Sequence, residues 1–370
     1  MRKGIFVASG LLLLALMSFV IYGCGTTSSS SPSGLPITFL HAFDQIPSWT
    51  YSLLSAEVIY MNSDGSGITV LTDTPGPGNY ADSPLMSPDG TKIAYLLCMD
   101  TDLTTLEVIN VNGSGRQIVS AGIDGYHYFC WSPDSKKLAY VRDGTIHDLK
   151  IRNIETMDPA VDVTGEVWTD TGVSWSPDGT KLAFSKNDGS LWIAHLIDTT
   201  VSSVEKISSA VSYRPIFSPK DSNIVALRYG PSSYLSILEI NSLQVTTLET
   251  QSAMLHIFSP DGEWVYYSRQ ATVDWDIFRV RKNGTDKANL TDDILALSQF
   301  GGVQVQSAPA EPYEVSPRFF PGSDTVFFTV IASDWNLNSS EVYSMDPDGS
   351  NKSVVTYNDT LDMMGIYELE

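Results

Sequence analysis

Apolar residues along this chain come in short runs, and one arrangement of runs and polar breaks recurs six times in fixed register. Its fullest copy is Val173 to Phe184, V-S-W-S-P-D-G-T-K-L-A-F. Counted from Pro88, Pro133, Pro177, Pro219, Pro260 and Pro321, the residue two before the proline is Met86, Trp131, Trp175, Phe217, Phe258 or Phe319. Five residues after the proline stands Ile93, Leu138, Leu182, Ile224, Val265 or Val326, followed by an apolar pair such as Ala94-Tyr95 or Phe327-Phe328. Runs this short, rich in β-branched and aromatic residues, predict strands. The break between them predicts a tight turn. Proline fixes φ at the first corner, Asp178 can bond its own backbone, and Gly179 accepts the positive φ that closes the loop.

Successive prolines lie 45, 44, 42, 41 and 61 residues apart. A period of about 40 to 45 residues holds four short strands, which is one blade of a β-propeller. The S-P-D-G-T-K segment followed by I-A-Y or L-A-F resembles the TolB-like propeller repeat, a Pro-Asp variant of the WD-type repeat. The resemblance implies an all-β chain and says little about activity, because propellers host many unrelated ones.

A second hairpin repeats as well. Its clearest copies are Glu57 to Ser66, E-V-I-Y-M-N-S-D-G-S, and Glu341 to Ser350, E-V-Y-S-M-D-P-D-G-S, with weaker copies starting near Leu106, His147, Ser190, Tyr234 and Asp276. Seven outer hairpins stand against six inner ones. The missing inner pair is expected at the two ends, Ile37 to Leu40 as a second strand and Met363 to Leu369 as the first, so that the C-terminal strand closes the ring. Residues 36–370 suffice for seven four-stranded blades and one insertion, between Asp292 and Tyr313, that is either functional or flexible. Six blades, the alternative, leave about one blade of sequence unused.

Residues 1–23 form a targeting segment rather than part of the fold, with Arg2 and Lys3 ahead of the apolar stretch Ile5 to Tyr22. Ile21-Tyr22-Gly23-Cys24 resembles a bacterial lipobox, which implies cleavage after Gly23 and lipidation of Cys24. Gly25 after the cysteine implies outer-membrane sorting. An uncleaved membrane anchor is the alternative; in either case the remainder lies outside the cytoplasm. Residues 24–35 read as a flexible Gly/Ser-rich tether, and residues 36–370 as a single propeller domain.

Charge narrows the partners. Removing Arg2 and Lys3 leaves 20 basic against 43 acidic residues, a net charge of −23, which repels nucleic acid and bare anionic membrane. Membrane contact is expected only through the lipid anchor. Cys98 and Cys130 fall in neighbouring blades, where they either pair or remain two buried thiols.

Motifs for hydrolase, zinc-protease, redox-dithiol or phosphate-binding chemistry are missing from the sequence, and no catalytic residue, metal site or cofactor is assigned. His41, His127, His147, His195 and His256 never fall at ligand spacing, and the Asp-Gly segments at Asn62 to Gly65 and Asp346 to Ser350 suit tight turns better than calcium loops. The turn aspartates Asp89, Asp134, Asp178 and Asp261 are likewise explained by folding.

What remains is a surface. Loops from the fourth strand to the next first strand and from the second to the third share one face, around the mouth of the central channel. On it the sequence gathers Tyr80, His127, Trp168, Arg214, Tyr229, Trp275, Tyr313 and Trp335, interleaved with carboxylates such as Asp82 and Asp124 and with Arg228 and Arg269. Such a mixture suits a protein or glycan partner; the competing explanation is that some rings plug blade ends. Two functions follow. The first is an envelope-anchored, non-catalytic binding or scaffolding propeller. The second is a propeller-type carbohydrate-active enzyme, a lyase or glycosidase, using clustered acids with His127 and Arg214. TolB proteins carry an α/β domain before the propeller, for which Gly25 to Leu35 leaves no room, and no hydrolase domain follows Glu370.

Overall fold

In the computed structural model of the protein, the turn at Ser176 closes as its residues require. The Gly179 N–H donates to the Ser176 carbonyl across 2.9 Å, and Gly179 has φ of 71°. The Ser176 hydroxyl donates to Asp178 Oδ1 at 2.6 Å, while that same oxygen accepts the Thr180 N–H at 3.0 Å. Ser176 Oγ also accepts the Lys181 N–H at 2.9 Å, so one buried hydroxyl locks turn to strand. Ser87 with Asp89, Ser132 with Asp134 and Ser259 with Asp261 repeat the arrangement.

The structure describes residues 36–45, 53–63, 66–72, 79–99, 104–123, 129–142, 147–167, 172–210, 212–230, 232, 234–251, 253–270, 275–292, 313–331, 340–355 and 361–363. They form seven four-stranded antiparallel blades, and among the described residues there is no helix. Blade one comprises Tyr80–Met86, Lys92–Cys98, Thr104–Asn110 and Gln117–Ala121. Blade two is Phe129–Trp131, Lys137–Arg142, Asp148–Asn153 and Val161–Thr164, and blade three Val173–Trp175, Lys181–Ser185, Leu191–Ile197 and Thr200–Ser208. Blade four is Ser212–Ser218, Asp221–Tyr229, Tyr234–Glu239 and Val245–Glu249, and blade five Ala253–Phe258, Trp264–Gln270, Trp275–Arg281 and Ala288–Asn289. Blade six is Tyr313–Arg318, Val326–Ile331, Ser340–Met345 and Ser353–Val354.

Blade seven joins the two ends of the propeller. Its second, third and fourth strands are Pro36–Gln45, Leu53–Asn62 and Thr69–Val70, and its first is Leu361–Met363. Leu40 lies opposite Met363, His41 opposite Asp362 and Ala42 opposite Leu361. The count is therefore seven, and the six-blade alternative falls. The closing strand begins at Leu361, two residues before the expected Met363. Leu361-Asp362-Met363 alternates apolar and polar, the period a strand needs. Positions after Met363, the insertion core 293–312, and Cys24 with the rest of residues 1–35 lie outside the described residues.

The core sits between blades. Phe129 and Trp131 pack against Leu96 and Leu106 of blade one, and Val173 and Trp175 against Val141 and Leu149 of blade two. Phe217 meets Ile193 of blade three, and Phe258 meets Leu235 of blade four. The large apolar residue two before each proline, aromatic in five blades and Met86 in blade one, is thus the wedge that seats one blade on the last. Hydrogen bonds follow the same direction: Trp131 Nε1 donates to the Leu85 carbonyl at 2.9 Å, and the Phe217 N–H to Ser174 Oγ at 3.0 Å. Cys98 and Cys130 remain separate thiols, which decides between the two expectations. Burial pushes the Cys98 thiol up to about 11 and raises that of Cys130 further.

Candidate functional site

First and third strands start at one rim of the propeller, and second and fourth strands end there. The opposite rim carries the S-P-D-G turns. Tyr80 and Tyr313 open the first strands of blades one and six, Trp275 opens the third strand of blade five, Tyr229 ends the second strand of blade four, and Arg214 lies in that blade's first strand. Five of the eight expected positions therefore share the rim on which the sequence placed them. His127, Trp168 and Trp335 lie outside the described residues. Two of the five also serve the fold. Tyr80 packs on the core shared by blades one and two, and Tyr229 packs on that of blades three and four while its hydroxyl meets Ser208 Oγ at 2.8 Å.

Arg214 differs. The residue three before the wedge is Ser83, Gly172, Arg214 or Leu255 in blades one, three, four and five, and all four have positive φ, of 50°, 72°, 50° and 25°. In blades one, four and five a register shift in the first strand accompanies it. A bulge of this kind re-aims the neighbouring side chains. The kink suits Gly172, whereas an arginine there costs about 1 to 2 kcal/mol. The repeat does not ask for arginine, so its presence needs another reason.

The next position shows a second departure. Two residues before the wedge stand Pro84, Pro215 and Pro317 in blades one, four and six and the apolar Phe129 and Val173 in blades two and three, but blade five has His256. Its ring is buried, with Nε2 at 3.3 Å from the Ala226 carbonyl of blade four and no hydrogen-bond partner at Nδ1. Burial, joined by the charges of Arg214 and Arg228, lowers its pKa to about 4 against the pull of the Ala226 and Arg214 backbone, so the imidazole is neutral at pH 7. Arg228 itself lies 5.3 Å from the Tyr213 ring centroid. Blades four and five thus gather Arg214, Arg228 and His256. Reading histidines one by one missed this group. Extending the repeat two residues upstream finds it, because His256 stands where sister blades keep proline or an apolar residue.

The opposite rim is used mostly for folding. Hydrogen bonds within each turn hold Asp89, Asp134, Asp178 and Asp261 below the usual carboxylate range despite some burial. Asp346 accepts from Asn351 and Asp348 from Ser350, both at turn spacing. Between blades two and three the turns leave a cleft of about 440 Å³, lined by Asp134, Lys137, Trp175, Asp178, Leu196 and Asp198 among others. Lys137 Nζ lies 3.0 Å from both Asp134 and Asp198. The one cation in that lining is already paired twice.

Comparison with known proteins agrees with this architecture. The family model for the TolB beta propeller domain matches residues 50–294. Dipeptidyl-peptidase 5 of Porphyromonas endodontalis is 32% identical over 146 residues, 38% of this chain and 19% of that protein. The match thus spans about a fifth of that relative's length. Among solved structures, TolB from Acinetobacter baumannii aligns with a TM-score of 0.52 at 20% identity, over 69% of this chain and 63% of that one. Oligogalacturonate lyase from Vibrio parahaemolyticus aligns with a TM-score of 0.56 at 15% identity, over 87% and 85%. Likeness at such identities speaks for the fold alone.

Proposed function

The chain belongs to the TolB beta propeller domain family, and on that premise we propose that it is a non-catalytic binding or scaffolding propeller of the cell envelope, engaging a protein or glycan partner through the rim around the channel mouth. The observation that carries this reading is the conformation of Arg214, held at φ of 50° where a glycine serves in blade three. Ser83 and Leu255 share the left-handed conformation, so the kink belongs to the repeat, but blade four alone among these places a long cation on it, and strained positions concentrate at sites of function. Support also comes from contrast: the carboxylates of the other rim are consumed by their own turns. In this reading Cys24 carries the lipid that keeps the propeller on the membrane, most simply the outer one, and residues 25–35 give it reach.

The second reading is a carbohydrate-active enzyme working at the channel mouth. Its support is the approach of Arg214 and Arg228 to a neutral imidazole, a cation and base pairing of the kind lyases and glycosidases need. Against it stands the burial of His256, which keeps the ring from a substrate.

Photo-cross-linking in intact cells separates the two. A benzophenone amino acid at Trp275, on the rim, is expected to yield a discrete adduct with an envelope partner, while the same probe at Thr180 on the turn rim yields none. Adducts only from Thr180 would overturn the assignment of the working face. Turnover of an envelope polysaccharide by purified protein, abolished in Arg214→Ala, would replace the binding reading with the enzymatic one.

A further inference from the structure

A regularity at the rim is demanded neither by the turns nor by the core. Nine residues after the repeat proline, where the second strand ends, four consecutive blades carry a cation: Arg142, Lys186, Arg228 and Arg269 in blades two to five. Blades one and six have Leu97 and Val330 there. The whole chain has 22 basic residues against 43 acidic, so one cation per blade at one register, four blades running, is not what composition supplies.

Three of these cations rest against aromatic rings. Lys186 Nζ sits 4.6 Å from the Trp192 ring centroid, and the guanidinium carbons of Arg228 and Arg269 sit 5.3 Å and 3.9 Å from those of Tyr213 and Phe278. Arg142 is exposed. Carboxylates flank the track as well: Glu166, whose carbonyl accepts the Asn187 N–H, neighbours Lys186, and Asp188 pairs with Lys206. Asp148 stands opposite Arg142 and Asp276 opposite Arg269, but Asp276 is bonded to Asn289 and Thr291. Buried Glu249 holds Arg269 at 3.1 Å and Lys287 at 3.0 Å, one carboxylate for two cations. Among the described residues no carboxylate forms an ion pair with Arg142 or Lys186.

The geometry points to a docking track for an extended, carboxylate-rich peptide segment of a protein partner, laid across blades two to five on Arg142, Lys186, Arg228 and Arg269. Packed sheets lie about 10 Å apart, so four blades set the track at about 30 Å. An extended strand covers that with roughly nine residues. Guanidinium forks match carboxylates in two-point contacts, and three of the four cations are arginines. A polyanionic sugar is the weaker fit, because the ring faces on which it would stack are already covered by the cations. The acidic body of the protein repels polyanions from a distance, so attraction must come from the track itself. The inference rests on the rim being the working face and names what it recognises.

The test uses a fluorescein-labelled glutamate dodecamer, a glutamine dodecamer and a size-matched oligogalacturonate, each titrated into the full-length protein by fluorescence anisotropy at low and physiological salt. The glutamate peptide should bind and the glutamine peptide should not. The R142Q/K186Q double variant, checked for an unchanged melting temperature, should weaken that binding tenfold or more, and the K136Q/K282Q double variant on the turn rim should not. Absence of glutamate binding, tighter binding of the oligogalacturonate, or equal binding by R142Q/K186Q would overturn the track. Loss of glutamate binding in K136Q/K282Q alone would overturn the working face as well. Cross-linking from Trp275 that survives in R142Q/K186Q would keep the face and reject the track.

Discussion

The Tyr267 hydroxyl donates to Glu249 Oε2 across 3.0 Å, tying the second strand of blade five to the last strand of blade four. Arg269 and Lys287 reach the same carboxylate from blade five, and the Thr250 and Gln251 N–H groups reach its other oxygen. Burial alone would raise the pKa of Glu249, but the Gln251 N–H, the Lys287 ammonium and the Tyr267 hydroxyl outweigh it and hold the carboxyl down at about 2. A depressed folded pKa contributes stability above the unfolded value and loses it as pH falls. Glu249 should therefore stabilise the propeller by about 3 kcal/mol at pH 7 and progressively less from pH 4.5 towards pH 2. Urea titrations of Glu249→Gln and wild type should diverge at pH 7 and converge near pH 2; a gap independent of pH would refute the assignment.

Arg214 offers a test of strain kept for function. Arg214→Gly removes the left-handed penalty, so stability should hold or rise by up to about 1 kcal/mol while partner cross-linking from the rim drops. A loss of 2 kcal/mol or more in chemical denaturation would make Arg214 a structural residue instead.

The turn module predicts an ordering within one protein. Ser176→Ala strands the Lys181 N–H and frees Asp178, at a cost of about 1 to 3 kcal/mol. Ser218 has Lys220 in place of the aspartate and a weaker bond, 3.3 Å from the Lys220 N–H. Ser218→Ala should therefore cost less than Ser176→Ala, and melting curves showing the reverse order would contradict the shared module.

Closure is tested at the last blade. A chain ending at Asp359 lacks Leu361–Met363 and leaves Leu40 to Ala42 an open edge. Open edges recruit other strands, so the truncation should aggregate on size-exclusion chromatography and melt over a broader range. An unchanged sharp melt would mean that residues 360–370 contribute nothing to the ring.

What the sequence made legible follows from how local each device is. The S-P-D-G turn is written in four adjacent residues, each with one backbone reason, so hairpins, blade period and the split seventh blade could all be read ahead of the structure. The closing strand starts at Leu361, two residues ahead of the expected Met363, because three residues of alternation carry little signal in a tail of mixed polarity. The group around Arg214 and His256 is non-local: its members come from two strands of blade four and one of blade five, and only the bulge brings them together. Lys181 shows the same limit. Its side chain reaches the Ser222 carbonyl of blade four at 3.0 Å, a contact that its place in a polar turn does not announce. For that reason Lys136, on the exposed turn of blade two, is the better control for substitutions on that rim.

The pairing of Leu40 with Met363 also sets a clock. The two partners are 323 residues apart in the chain, and synthesis proceeds at about 5 to 20 residues per second. The strand made first therefore waits for roughly 15 to 65 seconds before its inner neighbour exists. Until then its edge is a template for any other unpaired strand. A cell making this protein must either hold the chain unfolded or shield Leu40 to Ala42 until the ring can shut.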